Sequence, residues 1–268
     1  MQHLETSAGR VAYEDHGRGP AVVLLHANAH DHHDFDPIIG RLATGHRTIA
    51  VDFPGHGEST WAGSPSDLTA ARFPSVLSEI VDNLALEHVV LVGCSVGGFA
   101  AARYAIDHPD RVDALVLVNS GGFFEPTVVT RAFCRLMGRE RVTRRFMPRL
   151  IDLYMRAQTP ADHATVRRTK ARVATADGVA FAAALWRSFL DPAYDLRSVA
   201  DRVTCPTLIL SGAKDPIAGA TAARSTHECL AGSKLVLLPT GHLPFSSSPD
   251  AFLEHLDPFL EGSESQVE

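Results

Sequence analysis

The sequence predicts a doubly wound α/β fold with a mostly parallel sheet, interrupted by a helical insertion. Three observations predict it. Short apolar runs without polar alternation recur along the chain, the pattern of strands buried on both faces. Amphipathic stretches with three- and four-residue spacing separate them, so strand and helix alternate. Between residues 121 and 200 the strand-like runs stop, and helical patterns follow one another.

The elements follow in order. Residues 11–13 read as a strand after a glycine-containing turn. Residues 21–26 (AVVLLH), 48–52 (TIAVD), 88–93 (HVVLVG) and 114–118 (ALVLV) read as buried strands. So do residues 207–210 (TLIL) and 234–238 (KLVLL). Residues 73–86 carry helical spacing. Residues 96–106 are small and apolar and stop before His108 and Pro109. Residues 251–260 follow Pro249 and Asp250, a helix start. Within the insertion, helices are expected over 128–137, 149–157, 162–176 and 179–189. The core therefore divides into 1–120 and 201–268 around an insertion at 121–200. The polar tail, residues 262–268, reads as disordered.

Composition narrows the function. A chain of 268 residues, 45% apolar and 21% charged, fits one α/β domain with an insertion. Its net charge of −6 argues against nucleic acid, which demands a basic footprint. The insertion holds 14 Arg or Lys against 7 Asp or Glu, a net of +7, which leaves −13 for the rest. Cys94, Cys134, Cys205 and Cys229 form no close CxxC pair, so neither a zinc site nor a redox dithiol is suggested. Scattered single cysteines suit a reducing compartment. The first ten residues lack the apolar segment of a signal peptide. No apolar run reaches the ~20 residues of a membrane span. The expectation is a cytoplasmic protein whose partner is a small-molecule substrate, not nucleic acid or a membrane.

The sharpest motif is Gly93-Cys94-Ser95-Val96-Gly97, with Gly98 following. It joins an apolar strand to a helix of small residues, the setting of a nucleophile elbow. A serine on so tight a turn needs neighbours without bulk. Its hydroxyl then projects from the C-terminal edge of the sheet, beside a helix N-terminus that favours developing negative charge. Serine is a poor nucleophile until a base takes its proton. Asp215 is the only carboxylate in the segment after the 207–210 strand. His242 is the only histidine after the 234–238 strand. Their order, Ser then Asp then His, is that of an acyl-transfer triad.

On these residues the chain resembles the α/β-hydrolase superfamily over nearly its whole length. The resemblance rests on LLHANAH at 24–30, VDFPGHGEST at 51–60, GCSVGG at 93–98, SGAKDP at 211–216 and GHLPF at 241–245. It implies an α/β-hydrolase fold with a lid after the sixth strand, which matches the insertion. It also implies Ser95 as nucleophile, His242 as general base and Asp215 as the orienting carboxylate. The implied oxyanion hole is the backbone N–H of Val96 and that of Asn28. Here the chain departs from the family, which usually has His-Gly where this sequence has His26-Ala27. Alanine resists a positive φ that glycine accepts. His26 is implied as structural. Asn119 stands where some relatives place the triad acid and cannot serve as one. The resemblance implies cleavage of an ester, thioester or lactone. Epoxide hydrolases and dehalogenases use an aspartate where Ser95 stands. Carbon–carbon bond hydrolases carry tryptophan after the catalytic histidine, where Leu243 stands, and are kept as an alternative. A ligand-binding protein of the same fold is another.

The remaining signals are read as structural. His30, Asp31, His32, His33 and Asp34 form a solvated loop rather than a metal site. His56, Asp52 and Glu58 belong to a structural loop. No metal or cofactor is expected. The insertion's arginines are a solvated face, with a field that attracts anionic substrates as the sharper reading. Phe123, Phe124, Trp186 and Phe245 are expected to line the substrate pocket, with Phe146 and Phe189 as further candidates.

Overall fold

A computed structural model describes residues 1–264. The chain opens with β1 (Gln2–Thr6) and β2 (Gly9–His16), an antiparallel pair. β3 (Ala21–Leu25), α1 (Asp36–Leu42), β4 (Arg47–Val51), α2 (Arg72–Asn83), β5 (Val89–Cys94), α3 (Val96–Asp107) and β6 (Val112–Val118) follow. Then four helices come without a strand: α4 (Val128–Met137), α5 (Glu140–Met155), α6 (Pro160–Arg172) and α7 (Ala176–Ser188). β7 (Thr207–Gly212), α8 (Ala220–Cys229), β8 (Lys234–Leu238), α9 (Pro244–Ser247) and α10 (Pro249–Glu264) complete the described residues.

The eight strands form one sheet in the order β1-β2-β4-β3-β5-β6-β7-β8. β2 joins β4 antiparallel, and all pairings among β3 to β8 are parallel. β5 is buried at every residue, as its unbroken apolar run requires. Alternate side chains point to opposite faces, so two cores form. Leu25, Val51, Leu91 and Leu117 belong to one. Leu24, Ala50, Val92 and Val116 belong to the other.

Several elements differ from expectation: no helix was expected at α1, α8 or α9, and three further elements depart as follows. β1 carries no apolar run; its residues are half-buried or exposed at the sheet edge, so it left no signal. α5 begins at Glu140 rather than 149 and passes through Pro148. Its first turns are mostly exposed and arginine-rich, and so lack apolar spacing. α10 continues through residues 262–264, where a disordered tail was expected. The rest of that tail lies outside the described residues.

Parallel strands bring the ends of β3, β5, β6, β7 and β8 to one edge, where α/β proteins bind ligands. The β5–α3 turn at that edge is held by close backbone packing. A Cβ on Gly93 would strike the carbonyl of Gly97, and one on Gly97 would strike the carbonyls of Leu25 and His26. Gly93→Ala is therefore expected to lower stability by about 1–3 kcal/mol, the cost of overpacking. Urea unfolding measures it, and a midpoint equal to wild type would contradict the packing argument.

Candidate active site

Ser95 sits between β5 and α3 with φ 56° and ψ −115°. That backbone costs a non-glycine residue about 1–3 kcal/mol and persists only where the surroundings enforce it. They do so here. Ser95 N–H donates to Val118 O at 3.0 Å, and the Ser95 carbonyl accepts from Gly121 N at 3.2 Å and Phe99 N at 3.1 Å. The side chain is left at the mouth of the turn, where it lines a cavity. Among the described residues Ser95 Oγ has no hydrogen-bond partner.

Asp215 and His242 come from the loops after β7 and β8. His242 Nδ1 lies 2.6 Å from Asp215 Oδ2, and both residues are buried. An ionised carboxylate only accepts, so Nδ1 carries a proton, and in the neutral imidazole Nε2 keeps its lone pair. Burial pushes the His242 imidazole toward the neutral form, but the Asp215 carboxylate and its hydrogen bond outweigh this and hold its pKa well above the ordinary value. Asp215 is held in turn. Oδ1 accepts from Ile217 N at 2.8 Å, and Oδ2 accepts from Ala218 N at 3.2 Å and Asn119 Nδ2 at 2.9 Å. Asn119 Oδ1 accepts from Gly212 N at 2.8 Å, which fixes the amide. Asn119 was excluded as an acid; the structure instead gives it a place as a donor to the acid.

The loop after β3 approaches from the other side. His26 Nε2 accepts from Phe53 N at 3.0 Å, and Nδ1 donates to Ala27 O at 2.7 Å. Burial holds this imidazole below its ordinary pKa. Ala27, which stands where the family usually has glycine, does not adopt a positive φ; two residues on, Ala29 does, at φ 67°. Asn28 Nδ2 donates to Ala182 O on α7 at 3.4 Å, and Asn28 Oδ1 is buried without a partner. Among the described residues, neither Asn28 N–H nor the N–H of Val96, which opens α3, donates to another group. Two donors thus remain unspent beside Ser95.

Ser95, His242 and Asn28 line a cavity of about 830 Å³. The insertion supplies much of its wall, with Phe133, Leu150, Tyr154 and Trp186. Of the expected pocket residues, Phe124, Trp186 and Phe189 line it. Phe123 and Phe245 do not. Phe123 packs in the core on one face of the sheet. Phe245 packs in the core on the other, stacked on Phe35 at 4.7 Å. Both are wholly buried, so core packing absorbs the apolar surface that suggested a pocket. Phe146 is exposed on α5.

The family model of the alpha/beta hydrolase fold matches residues 20–198. The chain belongs to that family. It is 31% identical to the pimeloyl-[acyl-carrier protein] methyl ester esterase of Nitrosomonas europaea, over 95% of this chain and 98% of that one. It is 39% identical to a 2-hydroxy-6-oxononadienedioate/2-hydroxy-6-oxononatrienedioate hydrolase of Burkholderia vietnamiensis, over 42% of this chain and 40% of that one. An esterase of Exiguobacterium antarcticum has the same fold, with a TM-score of 0.83, 24% identity, and coverage of 97% of this chain and 98% of that one.

Within this α/β-hydrolase frame the histidine-rich loop has a use that sequence reasoning missed. His30 Nδ1 lies 2.6 Å from Asp34 Oδ2, and His30 Nε2 lies 2.8 Å from Tyr154 Oη. All three residues are buried. Tyr154 reaches His242 twice: its carbonyl accepts from His242 N at 2.9 Å, and its ring lies edge-on to the imidazole at 5.1 Å. His32 instead serves Asp52, donating from its backbone N at 2.8 Å and meeting Oδ1 with Nδ1 at 3.0 Å. Among the described residues no group of three or more His, Cys, Asp or Glu is placed to hold a metal ion. The spacing of His30 and Asp34 is one helical turn, which marked a pair; Tyr154, 124 residues beyond His30, left no signal.

The His242–Asp215 geometry makes a prediction. His242 should titrate above the ordinary histidine range near 6.5, and Asp215→Asn should bring it down. Imidazole proton shifts followed by NMR across pH test this. An unchanged titration in the variant would contradict the coupling.

Proposed function

We propose that the protein is a serine hydrolase that cleaves a carboxylic ester, or the related thioester or lactone, through an acyl-enzyme. The observation that carries this reading is the buried Asp215–His242 pair opening onto the same cavity as a strained, hydrogen-bond-free Ser95. His242 Nε2 takes the proton of Ser95 Oγ as that oxygen attacks the substrate carbonyl. The resulting oxyanion accepts hydrogen bonds from the N–H groups of Asn28 and Val96. Such donors are worth about 2.7–4 kcal/mol each in other enzymes. His242 then returns the proton to the departing oxygen or sulfur. Water, deprotonated by the same imidazole, attacks the acyl-enzyme and releases the acid. Asp215 keeps the imidazole in the required tautomer and stabilises its cation. No step calls for a cofactor.

The helices between β6 and β7 act as the lid and shape the acyl site. The cavity wall is mainly apolar, and its charged members are Glu125, Asp191 and Asp195 against Arg131. That balance favours a neutral, apolar acyl group of small to medium size over an anionic one. The same balance weakens the carbon–carbon hydrolase alternative, because a dioate would need cations in the wall. Leu243 after His242 weakens it further. We place the reaction in the cytoplasm, which suits the four free cysteines.

A fluorophosphonate should label the wild-type protein on Ser95, seen as one adduct by intact mass. Ser95→Ala should take none. Asp215→Asn should slow labelling and ester turnover by about 10⁴-fold, as loss of the orienting carboxylate does elsewhere. Labelling that survives in Ser95→Ala would remove the basis of the mechanism. Free-enzyme activity should rise with pH through the elevated His242 pKa, because only neutral imidazole accepts a proton. In Asp215→Asn that rise should move to lower pH.

A further inference from the structure

Among the described residues, six large apolar side chains stand exposed at the surface: Met1, Val128, Val129, Leu136, Phe146 and Leu153. Five of the six lie on α4 and α5. Val128 and Val129 are 84% and 77% exposed, and Phe146 is 53% exposed. Val129 and Leu153 also line the cavity, so this apolar face continues into the acyl site. On α4, Val129, Ala132 and Leu136 are exposed at three- and four-residue spacing. On α5, Phe146 and Leu153 are one heptad apart, with Arg149 between them.

The same helices are strongly basic. Residues 128–155 hold seven arginines against Glu140 and Asp152, and Asp152 is already paired with Lys170 at 2.6 Å. Arg135, Arg139, Arg141, Arg145 and Arg149 are exposed. None of these five forms an ion pair among the described residues. The Arg145 guanidinium lies 5.7 Å from the Phe146 ring, so charge and apolar surface are interleaved. Helices with apolar and arginine-rich surface lie in the interface of anionic membranes, where side chains enter the acyl boundary and arginines meet the headgroups.

We propose that α4 and α5 dock on an anionic lipid surface, with the mouth of the cavity turned toward it. An apolar acyl substrate would then pass from the lipid into the cavity without crossing water. No helix among the described residues is long and apolar enough to span a membrane, so the contact is peripheral. Anionic lipid fits better than a second copy of this chain, because it satisfies the arginines and the apolar side chains together.

The docking can be read apart from the chemistry by using Ser95→Ala protein. It is sedimented with vesicles of phosphatidylcholine alone and of phosphatidylcholine with phosphatidylglycerol. Binding to the anionic vesicles alone, weakened by salt, is expected. Val128→Asp with Phe146→Asp should lower the partition coefficient at least about tenfold. Arg141→Glu with Arg145→Glu should lower it about fivefold or more per residue. With Ser95 restored, both double variants should keep wild-type hydrolysis of a short soluble ester, which shows that they fold. Absence of partition to anionic vesicles would overturn the proposal. So would partition that both double variants retain. Self-association by analytical ultracentrifugation, abolished by the same changes and without vesicle binding, would assign the face to a second copy instead. Binding to an acidic protein without vesicle binding would likewise overturn it.

Discussion

The left-handed backbone of Ser95 is the constraint on which the site depends. A serine there is held against its own preference. Three backbone hydrogen bonds from α3, β6 and the segment after it hold it. The glycines around it remove the Cβ atoms that would force β5, α3 and the β3 loop apart. The central strands, packed with apolar side chains on both faces, supply the rigidity that makes this strain sustainable. The local cost of about 1–3 kcal/mol is spread over one of the most buried parts of the molecule. Among the described residues the same turn leaves the Val96 N–H without an acceptor at the start of a helix, where the dipole favours negative charge.

A second set of buried polar contacts joins the insertion to this edge. Tyr154 holds the backbone of His242 and bonds His30, which in turn bonds Asp34. Asp162 accepts from Ser246 Oγ at 2.7 Å and Ser247 Oγ at 3.1 Å, just beyond His242. Arg168 pairs with Asp31 at 3.2 Å and with Asp34 at 3.4 Å. Arg172 donates to the carbonyl of Gly55. The end of α5 and the start of α6 are thus fastened to the segment around His242, and the rest of α6 to the loops after β3 and β4. α4 and the start of α5 have no comparable network and carry the exposed apolar side chains. One end of the insertion is fixed to the chemistry, and the other faces outward.

How much of this was legible follows from the range of each interaction. The buried strands were readable because each writes its environment into a local run, as at residues 88–93. The elbow was readable because its close backbone approach requires glycine at 93 and 97. The Asp215–His242 pair was readable because each is the only residue of its kind in the segment after its own strand. β1 was not, since an edge strand need not be apolar. Phe123 and Phe245 were misplaced because an aromatic ring satisfies a core and a pocket equally well, and only the tertiary arrangement separates the two. His30 and Asp34 looked like loop residues because their partner, Tyr154, lies far along the chain. The role of Asn119 was hidden for the same reason: an amide donor to Asp215 is defined by spatial contact, not by spacing.

The charge of the insertion becomes intelligible once the cavity and the surface are separated. The net of +7 reads as a solvated face, with a field for anionic substrates as the sharper alternative; the cavity wall has Arg131 opposed by Glu125, Asp191 and Asp195. The unpaired arginines stand on the outer face of α4 and α5. Screening at physiological salt confines their field to about 8 Å. They therefore act on what approaches the protein rather than on the group held beside Ser95. On the proposed function the cavity would select for shape and apolar surface, while the proposed docking face would select the surroundings from which such a molecule is drawn. A soluble anionic substrate would use the second property and gain nothing from the first. A neutral acyl ester presented at an anionic surface would use both.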